Sequence, residues 1–381
     1  MFRMKLTKNK LIYLDNAATS FPKPGCVIKA TDECIRKYCA NPGRSAHKLA
    51  LSASERVYCV REQIADFLSL SKAERVVFTS GATAALNLSI KSTVTDVAHI
   101  LISDMEHNSV LRVVEALKHT HSVEYSVFNS DNLEEDIAKK LRPNTTHLVA
   151  TLASNVTGAR ICPKRLSEIA NGLGLKLVLD ASQLLGHEKL NLSEIKFEAL
   201  CCAGHKSLFG IPGVGFAVFG NDDFKKTFIE GGSGSESKST EMPRMLPERL
   251  EAGTLPLPAI ISLGAGIDFI NRTGQEKITD KLKDLTERTK CVIWENKKID
   301  LCKGDMGIVS FTAKDIPSEL LAKRLDDFGV AVRGGFHCAP LMHKKLNTYN
   351  TGTVRVSLGY LNTEKQIDAF ACALKCALSE L

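Results

Sequence analysis

No apolar run in this sequence of 381 residues approaches the roughly 18 residues that a membrane helix needs, so no spanning segment is expected. Basic residues stand near the start, at Arg3, Lys5, Lys8 and Lys10, but no apolar stretch follows them, and no secretory signal is expected. The net charge of +7 is not gathered into one tract. A nucleic-acid surface gains little support from it, and the dispersed Lys and Arg read as solvated. The C-x-x-C spacing is absent. The 12 cysteines are scattered, with Cys201 and Cys202 adjacent and Cys372 and Cys376 one helical turn apart. That pattern fits neither a metal-binding double pair nor the disulfide framework of a short secreted chain. A reducing cytoplasm is therefore the expected compartment, and most of the thiols read as small buried hydrophobes. Internal repeats and low-complexity tracts are lacking as well.

What is present is an ordinary globular composition, 44% hydrophobic and 24% charged, over a length that suggests two domains. Short β-branched runs alternate with helical stretches. Strands are predicted at Arg75–Thr79, His99–Ile102, His147–Leu152, Leu175–Leu179, Ala199–Cys202 and Gly215–Phe219. Helices are predicted from about Ala82, after His107, and from Cys162-Pro163, where a proline sits near the first turn. This alternation predicts an α/β fold with an open, mostly parallel sheet covered by helices. Ligands in such sheets bind beyond the carboxyl ends of the strands. Gly81, Thr83, His107, Asn155, Asp180, His205 and Lys206 all fall at those ends. The stretch 231–254 is polar, rich in Gly, Ser and Pro, and without periodicity, so it reads as a long functional loop. A helix is predicted near Pro258–Ile270, and a smaller second domain after it.

The chemistry begins with Asp180, which ends the apolar run LKLVLD. A carboxylate there needs a partner, and a protonated pyridine nitrogen suits it; the residue reads equally as a helix cap. Gln183 and Asn155 are placed to donate to a ring oxygen, though Asn155 also suits a plain turn. Lys206 follows a strand and precedes GIPGVG. Desolvation in a cleft would give it the neutral amine that imine formation requires; a surface lysine beside a glycine turn is the bland alternative. GIPGVG precedes a strand instead of opening a helix, so it is not a dinucleotide fingerprint. Ser80-Gly81-Ala82-Thr83 places free backbone amides at a helix start, a cradle for phosphate or simply a cap. His205 is within reach of a phosphate oxygen. His107 can stack on an aromatic cofactor and move protons, or be structural.

Taken together, these segments resemble the class V aminotransferase family and, within it, the short-loop, selenocysteine-lyase-like group of cysteine desulfurases. The resemblance runs from YLDNAATSFPKP at Tyr13 to VRVSLGYLNT ending at Thr363. NPGRSAHKLA, FTSGATAALN, DMEHNSV, ASNVTG, LDASQ, AGHKSLFGIPGVG, RLEAGT and RGGFHCAP follow in the family's order. It implies pyridoxal 5'-phosphate (PLP) as cofactor, the fold type I (aspartate-aminotransferase-like) architecture and a homodimer. The implied division is a large PLP-binding domain at 21–261 and a small α+β domain formed by 1–20 with 262–381. By motif, Lys206 resembles the imine lysine, Asp180 the pyridine-nitrogen partner, Gln183 and Asn155 the ring-oxygen contacts, and His107 the stacking histidine. Gly81, Ala82, Thr83 and His205 fall where the family binds phosphate, and Thr254, after Gly253, where the other subunit reaches it. Cys338 resembles the cysteine that accepts sulfur. Arg355 resembles the arginine that binds the substrate carboxylate, with Arg333, Asn155 and His47 at further substrate positions.

The implied reaction takes L-cysteine to L-alanine and leaves a persulfide on Cys338 for an acceptor protein, with iron–sulfur cluster assembly among the destinations. L-selenocysteine is the alternative substrate. Another PLP-dependent aminotransferase or lyase with Cys338 a bystander, and a slow binding partner in sulfur trafficking, are the other readings. Neither nucleic acid nor membrane is an expected partner. Two features depart from the pattern. Ala203 stands where many relatives carry a hydroxyl. The stretch HKKLNTYNTGT, with His343, Lys344 and Lys345, reads as a solvated loop or as a docking patch.

Overall fold

The computed structural model describes residues 11–43, 46–222, 226–302 and 304–381; the basic residues Arg3, Lys5, Lys8 and Lys10 lie outside them. The chain runs through β1 (Ile12–Tyr13), α1 (Gly25–Lys37), α2 (Lys48–Phe67), β2 (Val76–Thr79), α3 (Ala82–Thr93), β3 (Val97–Ser103), α4 (Asn108–Thr120) and β4 (Ser122–Phe128). Then come α5 (Leu133–Lys140), β5 (Thr145–Thr151), α6 (Pro163–Gly172), β6 (Lys176–Asp180), β7 (Ala199–Ala203), β8 (Gly215–Phe219) and α7 (Leu257–Thr273). The remainder is α8 (Gln275–Trp294), β9 (Ile299–Leu301), β10 (Ile308–Ala313), α9 (Ser318–Asp327), β11 (Val330–Ala331), β12 (Arg333–Gly335), α10 (Pro340–Lys345), β13 (Thr353–Ser357) and α11 (Glu364–Ser379). No described helix is long and apolar enough to cross a membrane.

The chain divides into two compact units. The larger comprises 23–153 and 160–275, the smaller 1–22, 154–159 and 276–381. The expected boundary at 261/262 cuts through α7, which lies whole in the larger unit, while the short stretch Ser154–Ala159 groups with the smaller one.

The larger unit is built on a seven-stranded sheet of order β2-β8-β7-β6-β5-β3-β4. The pairs from β7 through to β4 are parallel, and β8 is antiparallel to both neighbours. Every residue of β7 and β8 is buried, which is why these strands read as continuous apolar runs instead of alternating ones. The sequence reading did not separate out β4. It is one of the two edge strands, with Ser122 and Glu124 exposed, and its mixed composition hides it. Residues 231–254, within the stretch between β8 and α7, carry no helix or strand, as their composition predicts. The α7 helix packs on α1 and α2, and its Gly264 allows the approach: a Cβ there would lie 2.6 Å from Gln63 Oε1.

The smaller unit holds an antiparallel sheet of order β12-β13-β10-β9 and a separate parallel pair, β1 with β11. Phe311 and Phe370 are fully buried in it. The α11 helix opens with a capping box, in which Thr363 and Gln366 satisfy each other's free amides.

Candidate active site

In the larger unit the polar residues gather at strand ends. Asp180 closes β6, is 5% exposed, and its Oδ1 accepts from Ser182 N at 2.9 Å. Ser182 Oγ is buried with no hydrogen-bond partner, an orphan hydroxyl two residues from the carboxylate. Gln183 is buried in the same bend. Lys206 sits half-buried in the turn after β7. That turn is closed by Gly210 N donating to Gly204 O at 2.9 Å and Phe209 N donating to Lys206 O at 2.9 Å. Burial, with help from Lys206 and Lys23, pushes the neighbouring His205 imidazole down to about 4, so it is neutral at physiological pH. Lys23 Nζ donates to His205 O at 2.8 Å, and burial lowers this amine to about 8.

Gly81 opens α3 with φ 155°, a conformation that side chains rarely adopt, and a Cβ added there would meet nothing within 4 Å. The space beside Gly81 at this helix start is therefore open, and the helix dipole makes such a start attractive to an anion. Thr254 is exposed on the long loop and, with Thr79 and Ser80, lines a cavity of ≈ 380 Å³. His107 caps α4: its Nδ1 accepts from Ser109 N at 3.1 Å, which leaves Nε2 to carry the ring proton when the ring is neutral. His47 likewise caps α2, with Nδ1 accepting from Ala50 N at 3.2 Å, and is exposed.

The residue before His107 carried no signal in sequence. Glu106 is fully buried; its Oε1 accepts from Ser103 Oγ at 2.5 Å and from Thr151 N at 2.7 Å, and Oε2 has no partner. Burial, reinforced by the charge of Asp180, raises this carboxyl to about 8 despite those hydrogen bonds, so it is largely neutral at pH 7.

The smaller unit assembles the other expected residues. Arg333 and Arg355 are directly opposed across the β12–β13 pair. Like charges in that position repel, and the arrangement calls for anions. One is internal: Arg355 Nη2 donates to Asp15 Oδ1 at 2.6 Å. Arg355 Nη1 donates to Asn155 O at 2.9 Å, and Nε is buried without a partner. Burial pulls the guanidinium's pKa down and Asp15 pushes it back up. Asp15 lies in the quoted YLDNAATS segment but was given no role there; a buried arginine implies such a carboxylate without saying where in the chain it comes from.

Cys338 is half-buried, and Arg333 Nη2 donates to its Sγ at 3.8 Å. Its turn is unusual: His337 and Cys338 have φ of 49° and 58°. Each such left-handed residue costs on the order of 1 kcal/mol. The preceding glycines fit a tight place, since a Cβ on Gly334 would lie 2.6 Å from Ser318 O. Asn155 Nδ2 donates to His337 O at 2.6 Å, so the amide expected to meet a cofactor oxygen also braces this turn. His343 is not solvated: it is fully buried, its Nδ1 paired with Thr348 Oγ1 at 2.8 Å. Lys344 lies over the Tyr349 ring, 5.4 Å from its centroid.

The observations in the larger unit suit a phosphorylated, ring-nitrogen cofactor: an orphan hydroxyl beside Asp180, an open helix start at Gly81, and a lysine in a glycine-bounded turn. The protein has the fold of type I PLP-dependent transferases. It is similar to an apo cysteine desulfurase structure from Thermococcus onnurineus NA1, with TM-score 0.86, 28% identity, and coverage of 97% of this chain and 95% of that one. A probable cysteine desulfurase of Methanothermobacter thermautotrophicus is 31% identical over 93% of this chain and 92% of its own length. One of Halalkalibacterium halodurans is 31% identical over 96% and 92%. The class-V aminotransferase model matches residues 12–370, and the chain belongs to that family.

Proposed function

We propose that this protein is a PLP-dependent cysteine desulfurase that converts L-cysteine to L-alanine and collects the sulfur on Cys338. The observation that carries this reading is the smaller unit's cluster: a cysteine in contact with one arginine of an opposed arginine pair, the other holding an unpartnered buried N–H. When bound, PLP supplies an electron sink for chemistry at the substrate α-carbon.

The chain's own residues do the rest. Asp180 would hold the ring nitrogen, Gln183 and the remaining Asn155 N–H would serve the ring oxygen, and His107 would stack on the ring. Gly81, Ala82, Thr83 and His205 would hold the phosphate, joined by Thr254 from the second subunit of a homodimer. Lys206 Nζ would be the residue that holds the cofactor covalently, and its amine would be the base for the substrate α-proton. Arg355 binds the substrate carboxylate through its planar fork, with Arg333 adding charge and His47 at the edge of the substrate positions.

Cys338 attacks the substrate sulfur as a thiolate. An S–S bond forms, the carbon–sulfur bond breaks, and its electron pair stays with the three-carbon fragment. That fragment leaves as alanine after taking protons, with His107 as relay. The persulfide passes to the thiol of an acceptor protein.

Incubation of the holoenzyme with L-cysteine should give alanine and, with a thiol reductant, sulfide in equal amounts. Cys338→Ala should abolish sulfur release while keeping the visible absorbance of the lysine-bound cofactor, and Lys206→Ala should lose that absorbance. Wild-type sulfide release from Cys338→Ala would overturn the reading.

A further inference from the structure

A histidine directly before a nucleophilic cysteine invites assignment as its base. The geometry around His337 points elsewhere. The side chain is 2% exposed and turned toward β13, where Nε2 lies 3.1 Å from Thr353 O and 3.0 Å from Thr353 Oγ1. A carbonyl only accepts, so Nε2 carries the hydrogen and Nδ1 is bare. Nδ1 is buried and makes no hydrogen bond. Burial, with Arg355 from β13, His343 from α10 and Arg333 from β12 as the charged and titratable groups that act on the ring, pushes it down to about 2, so it is neutral at every working pH. A ring that cannot be protonated neither takes a proton from a thiol nor returns one.

We propose that His337 is a positioning residue, a fixed post that holds Cys338 in its left-handed turn through the Nε2–Thr353 and Asn155–carbonyl hydrogen bonds, and that it exchanges no proton with the thiol. This deepens the reading of Cys338 as the sulfur-accepting residue and rests on it. The departure HKKLNTYNTGT then has a purpose. Its His343 ring lies 5.7 Å from His337, its Tyr349 packs on Phe336 at 5.6 Å, and its end supplies Thr353. The stretch thus packs against the post and supplies its hydrogen-bond partner.

The test is alkylation of Cys338 in the full-length holoenzyme by iodoacetamide across pH, read by peptide mass spectrometry, for wild type, His337→Gln and His337→Phe. Gln can donate to Thr353 but has no titrating ring; Phe fills the volume and cannot donate. The pH midpoint should be the same in all three. The kcat for L-cysteine should fall about tenfold in His337→Phe, from misplacement of the nucleophile, with KM and cofactor absorbance unchanged, and should recover in His337→Gln. A midpoint moved by a full pH unit in His337→Gln, or wild-type kcat in His337→Phe, would overturn the proposal. If His337→Phe does not fold, the His337→Gln midpoint decides alone. Alkylation needs no substrate, so a wild-type protein that makes no alanine would sink the desulfurase reading while leaving this measurement intact.

Discussion

Arg333 and Arg355 face each other across the β12–β13 pair, and Asp15 meets this double charge at 2.6 Å from Arg355. One carboxylate against two guanidiniums leaves a net positive site for a second, incoming carboxylate. Arg355→Lys keeps the charge but cannot reach Asp15 and Asn155 O together. It should lower kcat/KM for L-cysteine on the order of 100-fold, mostly through KM, because the proposed bonds to the substrate carboxylate would be charge-assisted. Steady-state kinetics check this; an unchanged KM would refute the assignment.

Asp15→Ala strips a guanidinium that is 1% exposed of its counter-charge. An uncompensated buried charge costs about 3 kcal/mol. The thermal midpoint should fall by several degrees, and an anionic substrate analogue should restore much of it by occupying the vacated charge. A midpoint within a degree of wild type would show that the pair contributes nothing.

Glu106 makes stability depend on pH in a direction opposite to that of an ordinary carboxylate. Its folded value, about 8, lies above its unfolded value of about 4.5. Its contribution is thus fully present below pH 4.5 and is lost as pH rises to about 8. Glu106→Gln keeps an acceptor for Ser103 and Thr151 and removes the titration. The variant should match wild type near pH 4.5 and be the more stable at pH 8, with a gap on the order of 3 kcal/mol by pH 7. Denaturation midpoints across this range check it. Parallel curves would show that Glu106 is ionised in the fold.

His147 and His187 act in the other sense. Burial holds them near 3 and 4 in the folded state. Stability they contribute is present above about pH 6.5, where the unfolded rings lose their protons, and is lost as pH falls through those folded values. Replacing His187 with Gln should flatten the acid side of the stability curve between pH 6.5 and 4. A curve as steep as wild type would refute it.

Gly266 lets α7 lie against the turn that carries Lys206: a Cβ there would sit 2.0 Å from Leu208 O, two residues beyond the lysine. Gly266→Ala must push that turn away. The variant should show lower occupancy of PLP by visible absorbance at equal cofactor concentration, in addition to a lower thermal midpoint. Full occupancy would mean that the turn can shift without disturbing the lysine.

Much of the larger unit was legible in sequence because its signals are local. An apolar strand ending in Asp180, a glycine opening α3 and a lysine in a glycine-bounded turn each announce themselves within ten residues. The smaller unit was less legible because its key contacts span the chain. Asp15 reaches Arg355 across 340 residues, and Asn155 reaches His337 across 182. Periodicity says nothing about such pairs. Glu106 was hidden for a different reason: a glutamate in DMEHNSV looks solvated until the sheet closes over it. His343 misled in the same way, its two lysine neighbours suggesting solvent where the ring is in fact enclosed.

Asn155 receives Arg355 on its carbonyl and gives its amide to His337. The residue proposed to anchor the substrate's acid end and the residue just before the proposed nucleophile are therefore tied to one and the same residue. Replacing the Asn155 side chain would release the turn that carries Cys338 yet keep the carbonyl that Arg355 bonds, whereas a shift of the Asn155 backbone would move both.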